Sequence, residues 1–202
     1  QFLATLNDYM FCWLVVPIGK DLLGQDLALS AGSVCFLLPF VFLSVPAGYL
    51  ADRFSKRSVI VWCKVAEIGI LVLGVAGIVA GNVYVMLTAM ALLGCQAAIF
   101  SPSKLGSIPE ILRPDCVSFA NGVFGMTTMM AVILGTVLGG YLYDQTTLPL
   151  DQAAPGERLL PGQYRWWISA SALIGVAVAG WMASLLISRL RAADPGRPAP
   201  LN

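Results

Sequence analysis

The stretch GYLADRFSKR, Gly48–Arg57, sets three cations and one aspartate between two apolar runs that are each long enough to cross a bilayer. Hydrophobic residues make up 58% of the 202 and charged residues 11%, against roughly 25% charged in an ordinary soluble domain. The mean hydropathy is +0.80. Charge is confined to short segments: residues 27–51, 68–103, 116–143 and 166–188 contain no Asp, Glu, Lys or Arg. A spanning helix needs about 20 apolar residues, so each run suffices for a crossing. The 68–103 run is too long for one span, and Ala80-Gly81-Asn82 is the place to break it.

Allowing a few charges inside spans, this spacing predicts an all-α membrane protein with six transmembrane helices: Phe2–Ile18, Ser30–Leu50, Ser58–Val79, Val83–Gly106, Phe119–Leu142 and Trp166–Leu190. Barrel strands would alternate apolar and polar residues over about ten positions, and AVILGTVLGGYL (131–142) does not. Nine of the twelve cations, Arg53, Lys56, Arg57, Lys64, Lys104, Arg113, Arg189, Arg191 and Arg197, fall on one side of this topology. By the excess of Lys and Arg in cytoplasmic loops, that side and both ends of the segment are expected in the cytoplasm. Tyr164, Trp166 and Trp167 form an aromatic anchor at the end of the longest outer loop.

Nothing in the chain argues for catalysis. Histidine is absent, the five cysteines are scattered without CxxC spacing, and no Walker loop or GxSxG is present. No cofactor, metal or nucleic-acid partner is expected, and this segment is not read as an enzyme.

Gly48, Leu50, Asp52, Arg53, Ser55, Lys56 and Arg57 stand where the loop signature of the major facilitator superfamily has its glycine, aliphatic, aspartate, basic, small and paired basic positions. In physical terms Gly48 would let the second helix approach a neighbour closely. Asp52 could pair with Arg53 or Arg57, and Glu110 could join them, making a latch that closes one side. Residues 100–144 narrow the resemblance. Ser101-Pro102-x-Lys104-x-Gly106, then Glu110, then Ala120-Asn121-Gly122 opening a glycine-rich helix, is similar to the bacterial lysophospholipid transporter family. The start, QFLATLNDYMFCWLVVP (1–17), resembles that family's first helix, with Tyr9 where asparagine often follows the aspartate.

The resemblance implies a twelve-helix carrier that moves lysophospholipids inward, alone or fused to acyltransferase and ligase domains. Residues 1–190 would be its amino-terminal half, a 3+3 inverted repeat, and residues 191–202 a Pro-rich linker to a carboxy-terminal six-helix half. Membrane lipid and a lysophospholipid, or another amphipathic substrate, are the implied partners. An efflux or solute carrier of the same superfamily is the alternative, because the loop signature does not select substrate. A membrane-embedded acyltransferase or a scaffold is a third class.

By the same resemblance the first and fourth helices line the cavity, so their polar residues are the candidate substrate ligands. Asp8 lies about 15 Å from the expected outer end of its helix, near the midplane, where an ionisable residue is costly and is a functional hypothesis by default. Lys104 lies about 32 Å into its helix, nearer the cytoplasmic face. Ser101 shares its face at i−3, Pro102 interrupts backbone hydrogen bonding beside it, and Gln96 stands at mid-depth. Lys104 could hold a lipid phosphate and Asp8 the ammonium of an ethanolamine head group, at depths too different for a direct salt bridge. Lys64 and Glu67 are read as an i, i+3 pair neutralising each other on a helix turned away from the cavity. Ala131, Gly135 and Gly139 form a small-residue stripe expected at the seam with the other half.

The topology is tested with single cysteines on a background lacking native thiols. Positions 56 and 191 should be shielded from an impermeant thiol reagent in intact cells and position 151 should react; labelling of position 56 from outside would overturn the assignment.

Overall fold

Local chemistry sets where each helix starts and stops. Gly81 adopts the left-handed conformation, φ 62°, at the end of the third helix. Its N–H donates to Ile78 O at 3.0 Å and the Asn82 N–H to Gly77 O at 2.9 Å, the Schellman closure that glycine permits. Asn82 Oδ1 then accepts from the N–H groups of Tyr84 and Val85, opening the fourth helix. The break expected at residues 80–82 is therefore a helix stop joined directly to a helix start. Ser55 caps the third helix through Oγ, accepting from Ser58 N.

The computed structural model describes residues 1–106, 116–147 and 162–186. Among them all regular structure is helical: α1 Phe2–Leu23, α2 Gln25–Arg53, α3 Lys56–Ala80, α4 Val83–Gly106, α5 Val117–Thr146 and α6 Trp166–Leu185. All six are long and apolar enough to span a membrane. Helix α4 has its expected bounds. The others in the first five run further, α1 by five residues to Leu23, because polar ends such as Lys20 and Asp21 continue the helix beyond the hydrocarbon. The final turns expected to Leu190, and the linker at 191–202, lie outside the described residues.

Helix α1 packs along α5, α4 along α2, and α3 lies against both α4 and α6. The core between them is apolar, centred on Phe11, Leu14, Ile18, Leu71, Met86, Leu93 and Leu173. Helices α2 and α5 bury only 17% of their apolar windows. Their free faces carry Val41, Phe42 and Val45, and Met126, Met129, Ile133 and Val137, apolar surface that needs lipid or protein against it. The start of α1, α3 and α5 and the end of α2, α4 and α6 share the cation-rich end of the bundle. There Lys56 Nζ donates to Gly106 O at 3.0 Å and Arg57 to Leu185 O at 3.1 Å. At the opposite end Tyr143 donates to Asp21 at 2.6 Å, tying α5 to α1.

Two packing expectations are corrected. Gly48 meets nothing within 4 Å of where a Cβ would stand, so it does not mediate a close helix approach in this structure. The stripe Ala131, Gly135 and Gly139 is buried against α1 and not at an open seam. A Cβ on Gly135 would lie 2.6 Å from Leu6 O, and one on Gly139 2.7 Å from Met10 O. The stripe thus lets two backbones touch within this bundle, and α5 presents its large apolar side chains outward instead.

Gly139→Ala should therefore force α5 away from α1, costing about 1–3 kcal/mol, as overpacking does. Gly140→Ala, next to it with open space where a Cβ would stand, should leave stability unchanged or raise it slightly, since alanine favours the helix. Thermal unfolding of the two variants in detergent, side by side, reads the difference.

Candidate functional site

Four polar residues from three helices meet in the apolar core. Glu67 is 1% exposed, Asn7 1%, Lys64 3% and Gln96 6%. Glu67 is the hub. Its Oε1 accepts from Asn7 Nδ2 of α1 at 3.2 Å, and its Oε2 accepts from Gln96 Nε2 of α4 at 3.5 Å and from Lys64 Nζ one turn earlier on α3. Gln96 Nε2 also donates to Cys63 O at 3.3 Å. Glu67 lies 11 residues from the start of α3 and Gln96 10 from the end of α4. Both are thus about 15–17 Å from the cation-rich end, half of a hydrocarbon core about 30 Å thick.

Lys64 and Glu67 do neutralise each other, as an i, i+3 ion pair within α3. Both are buried inside the bundle, where Asn7 of α1 and Gln96 of α4 supply the remaining hydrogen bonds of Glu67. Their i, i+3 spacing was legible as a pair, but Asn7 carried no signal of its own beside Asp8.

Lys104 lies two residues from the end of α4, yet its ammonium does not simply reach outward. Side chains on a helix lean toward its N-terminus, which for α4 is the opposite end of the bundle. Lys104 Nζ accordingly sits 5.4 Å from the ring centres of both Phe100 and Phe124. Lys64 Nζ, coming from α3, stands 5.6 Å from the Phe100 ring. These are cation–π distances, which favour an ammonium in apolar surroundings. Both lysines line one cavity of about 410 Å³, bordered by Phe2, Phe100, Phe124 and Gly180.

The remaining candidates fall in several places. Asp8 follows Asn7 on α1, with Oδ1 buried and without a hydrogen-bond partner, and Glu67, Lys64 and Lys104 all act on it electrostatically. Its neighbour Asn7 reaches Glu67, which sets Asp8 near the level of Glu67 and Gln96. Asp8 and Ser101 stand outside the wall of the 410 Å³ cavity. Gln96 turns its amide to Cys63 and Glu67, which braces α3, and it lines a different cavity beside Trp62 and Cys95. Pro102 lies within a continuous α4. Of the residues expected to form a latch, Arg53 donates to Tyr49 and lies over its ring at 5.6 Å. The Asp52 side chain and Glu110 lie outside the described residues.

The hub can be weighed by substitution. Glu67→Leu strands the Lys64 ammonium in the core and should cost about 3–5 kcal/mol. Asn7→Leu removes one hydrogen bond together with an acceptor, Oδ1, that has no partner, and should cost about 1 kcal/mol. Thermal unfolding of the two variants orders them; equal losses would contradict the hub.

The chain is 30% identical over 98% of its length to the lysophospholipid transporter LplT of Pectobacterium carotovorum, and covers 42% of that protein. Lysophospholipid transporters LplT of Cronobacter sakazakii and Citrobacter koseri are 30% and 28% identical, again over 98% of the chain and 43% of theirs. The chain thus spans less than half the length of these relatives. The family model described as Major Facilitator Superfamily matches residues 1–201. With six helices able to span a membrane and a match across nearly its whole length, the chain belongs to the Major Facilitator Superfamily.

Proposed function

We propose that this chain is the amino-terminal half of a lysophospholipid transporter of the bacterial inner membrane, working by alternating access, with both ends of the segment cytoplasmic. The observation that carries the reading is the convergence of Lys64 and Lys104 on one aromatic-lined cavity inside an apolar bundle. The naming of the relatives as lysophospholipid transporters supports the substrate class. The pairing of α1 with α5 and of α4 with α2 supports a 3+3 inverted repeat, since such a repeat exchanges helix one with four and two with five.

A lysophospholipid presents a carrier with two unlike parts. Burying its acyl chain is worth about 0.8 kcal/mol per CH₂, so the tail gains by staying in lipid and only the head needs shielding. In this reading Lys104 takes the phosphate and Asp8, with its unpartnered oxygen, attracts the ammonium of an ethanolamine head. Ser101 is a weaker contact one turn from Lys104, and Gln96 positions Glu67. The carboxy-terminal half supplies the opposite wall, against the apolar faces of α2 and α5. Asp52, Arg53, Lys56, Arg57 and Glu110 form the cytoplasmic latch, supported by the ties of Lys56 to α4 and Arg57 to α6. No catalytic role is assigned to this segment.

Full-length protein in vesicles should translocate lysophosphatidylethanolamine. Lys104→Ala and Asp8→Asn should each slow it about tenfold or more, as expected for a lost charge-assisted hydrogen bond of about 1.5–3 kcal/mol. Asp52→Ala should slow cycling while leaving the protein inserted. Absence of lipid movement under either a proton or a sodium gradient would favour a carrier of water-soluble solutes.

A further inference from the structure

The Lys64–Glu67 pair is more than neutralisation requires. An ion pair kept for stability alone is replaceable by apolar residues at little cost, and an ionisable pair within a spanning helix is costly to keep. The two partners are also held very differently. Glu67 is fixed from three helices, by Asn7, Lys64 and Gln96. The Lys64 ammonium has three N–H donors; one meets Glu67, the Phe100 ring lies on another side, and the cavity lies beyond. Gly180 of α6 lines the same cavity directly beside the ammonium, where a Cβ would come to 3.6 Å from Lys64 Nζ. A larger residue there would fill the space in front of the ammonium.

We propose that Lys64 is a second phosphate ligand of this cavity. Lys64 and Lys104 form a two-ammonium clamp around the Phe100 ring, and Glu67 is the fixed counter-anion that holds Lys64 in place while the cavity is empty and shares it once a phosphodiester enters. This rests on the lysophospholipid reading and deepens it. The charges balance for a zwitterionic single-chain lipid: two lysines and the lipid ammonium offset Glu67, Asp8 and the phosphate. It also places the phosphate contacts within this half of the protein, on α3 and α4, rather than across the seam with the other half.

The test uses full-length protein in nanodiscs and two probes of equal chain length, lysophosphatidylethanolamine and monoacylglycerol, which lacks the phosphate. In Lys64→Met/Glu67→Gln the pair is removed while an acceptor for Asn7 is kept, so the melting temperature should stay near that of the native protein. Affinity for lysophosphatidylethanolamine should fall about tenfold, with monoacylglycerol binding unchanged, and Lys64→Arg should retain most of the affinity. Native affinity for lysophosphatidylethanolamine in the folded double variant would reduce the pair to a structural role and overturn the assignment. If that variant does not fold, the ratio of the two affinities in Lys64→Gln decides in the same way: a fall supports the clamp and an unchanged ratio overturns it. Failure of the native protein to prefer lysophosphatidylethanolamine over monoacylglycerol would instead overturn the transporter reading, and the clamp with it.

Discussion

A carboxylate at the middle of a membrane must be neutralised and have its lone pairs occupied, or the helix that carries it cannot stay there. Glu67 meets this demand with Lys64 from its own helix, Asn7 from α1 and Gln96 from α4. Three helices are thereby fixed in rotation as well as in contact, since a turn of any one would unpair a buried group. Apolar packing between spanning helices is weakly directional, because lipid tails are as apolar as leucine. The hub supplies the direction, and it sets Lys64 beside the Phe100 ring and the cavity.

The second constraint is close backbone approach. Gly135 and Gly139 bring α5 onto Leu6 and Met10 of α1. Gly94 does the same for α4 and α2, where a Cβ would stand 2.4 Å from Phe36 O. These contacts seal the bundle on its inner side and leave α2 and α5 with broad apolar faces outward. A superfamily member of twice this length would lay its other half against those faces.

Much of the fold was legible from charge spacing alone. Apolar runs gave six spans once a few charges such as Asp8, Lys64 and Glu67 were allowed inside them, and Ala80-Gly81-Asn82 gave the one break inside a run, because a left-handed glycine followed by a capping asparagine is a local signal. Helix ends were less legible, since hydropathy marks the edge of hydrocarbon and not the end of hydrogen bonding. The site was legible in part. Asp8 and Lys104 stood out as charges within apolar sequence, and Lys64 and Glu67 as a spaced pair. Which way that pair faced depended on the rotation of α3, and the small-residue stripe of α5 announced a close contact without naming its partner. Both are tertiary facts that one helix's sequence does not carry.

In the proposed clamp the lipid head is held inside this half, between two lysines on the Phe100 ring. A high-resolution structure of the full-length protein in nanodiscs with bound lysophosphatidylethanolamine tests it most directly. Phosphate density is expected in hydrogen-bonding contact with both Lys64 and Lys104, with the acyl chain leaving toward lipid. Phosphate bound by the other half, with Lys64 still held by Glu67 and the cavity above Phe100 empty, would contradict it.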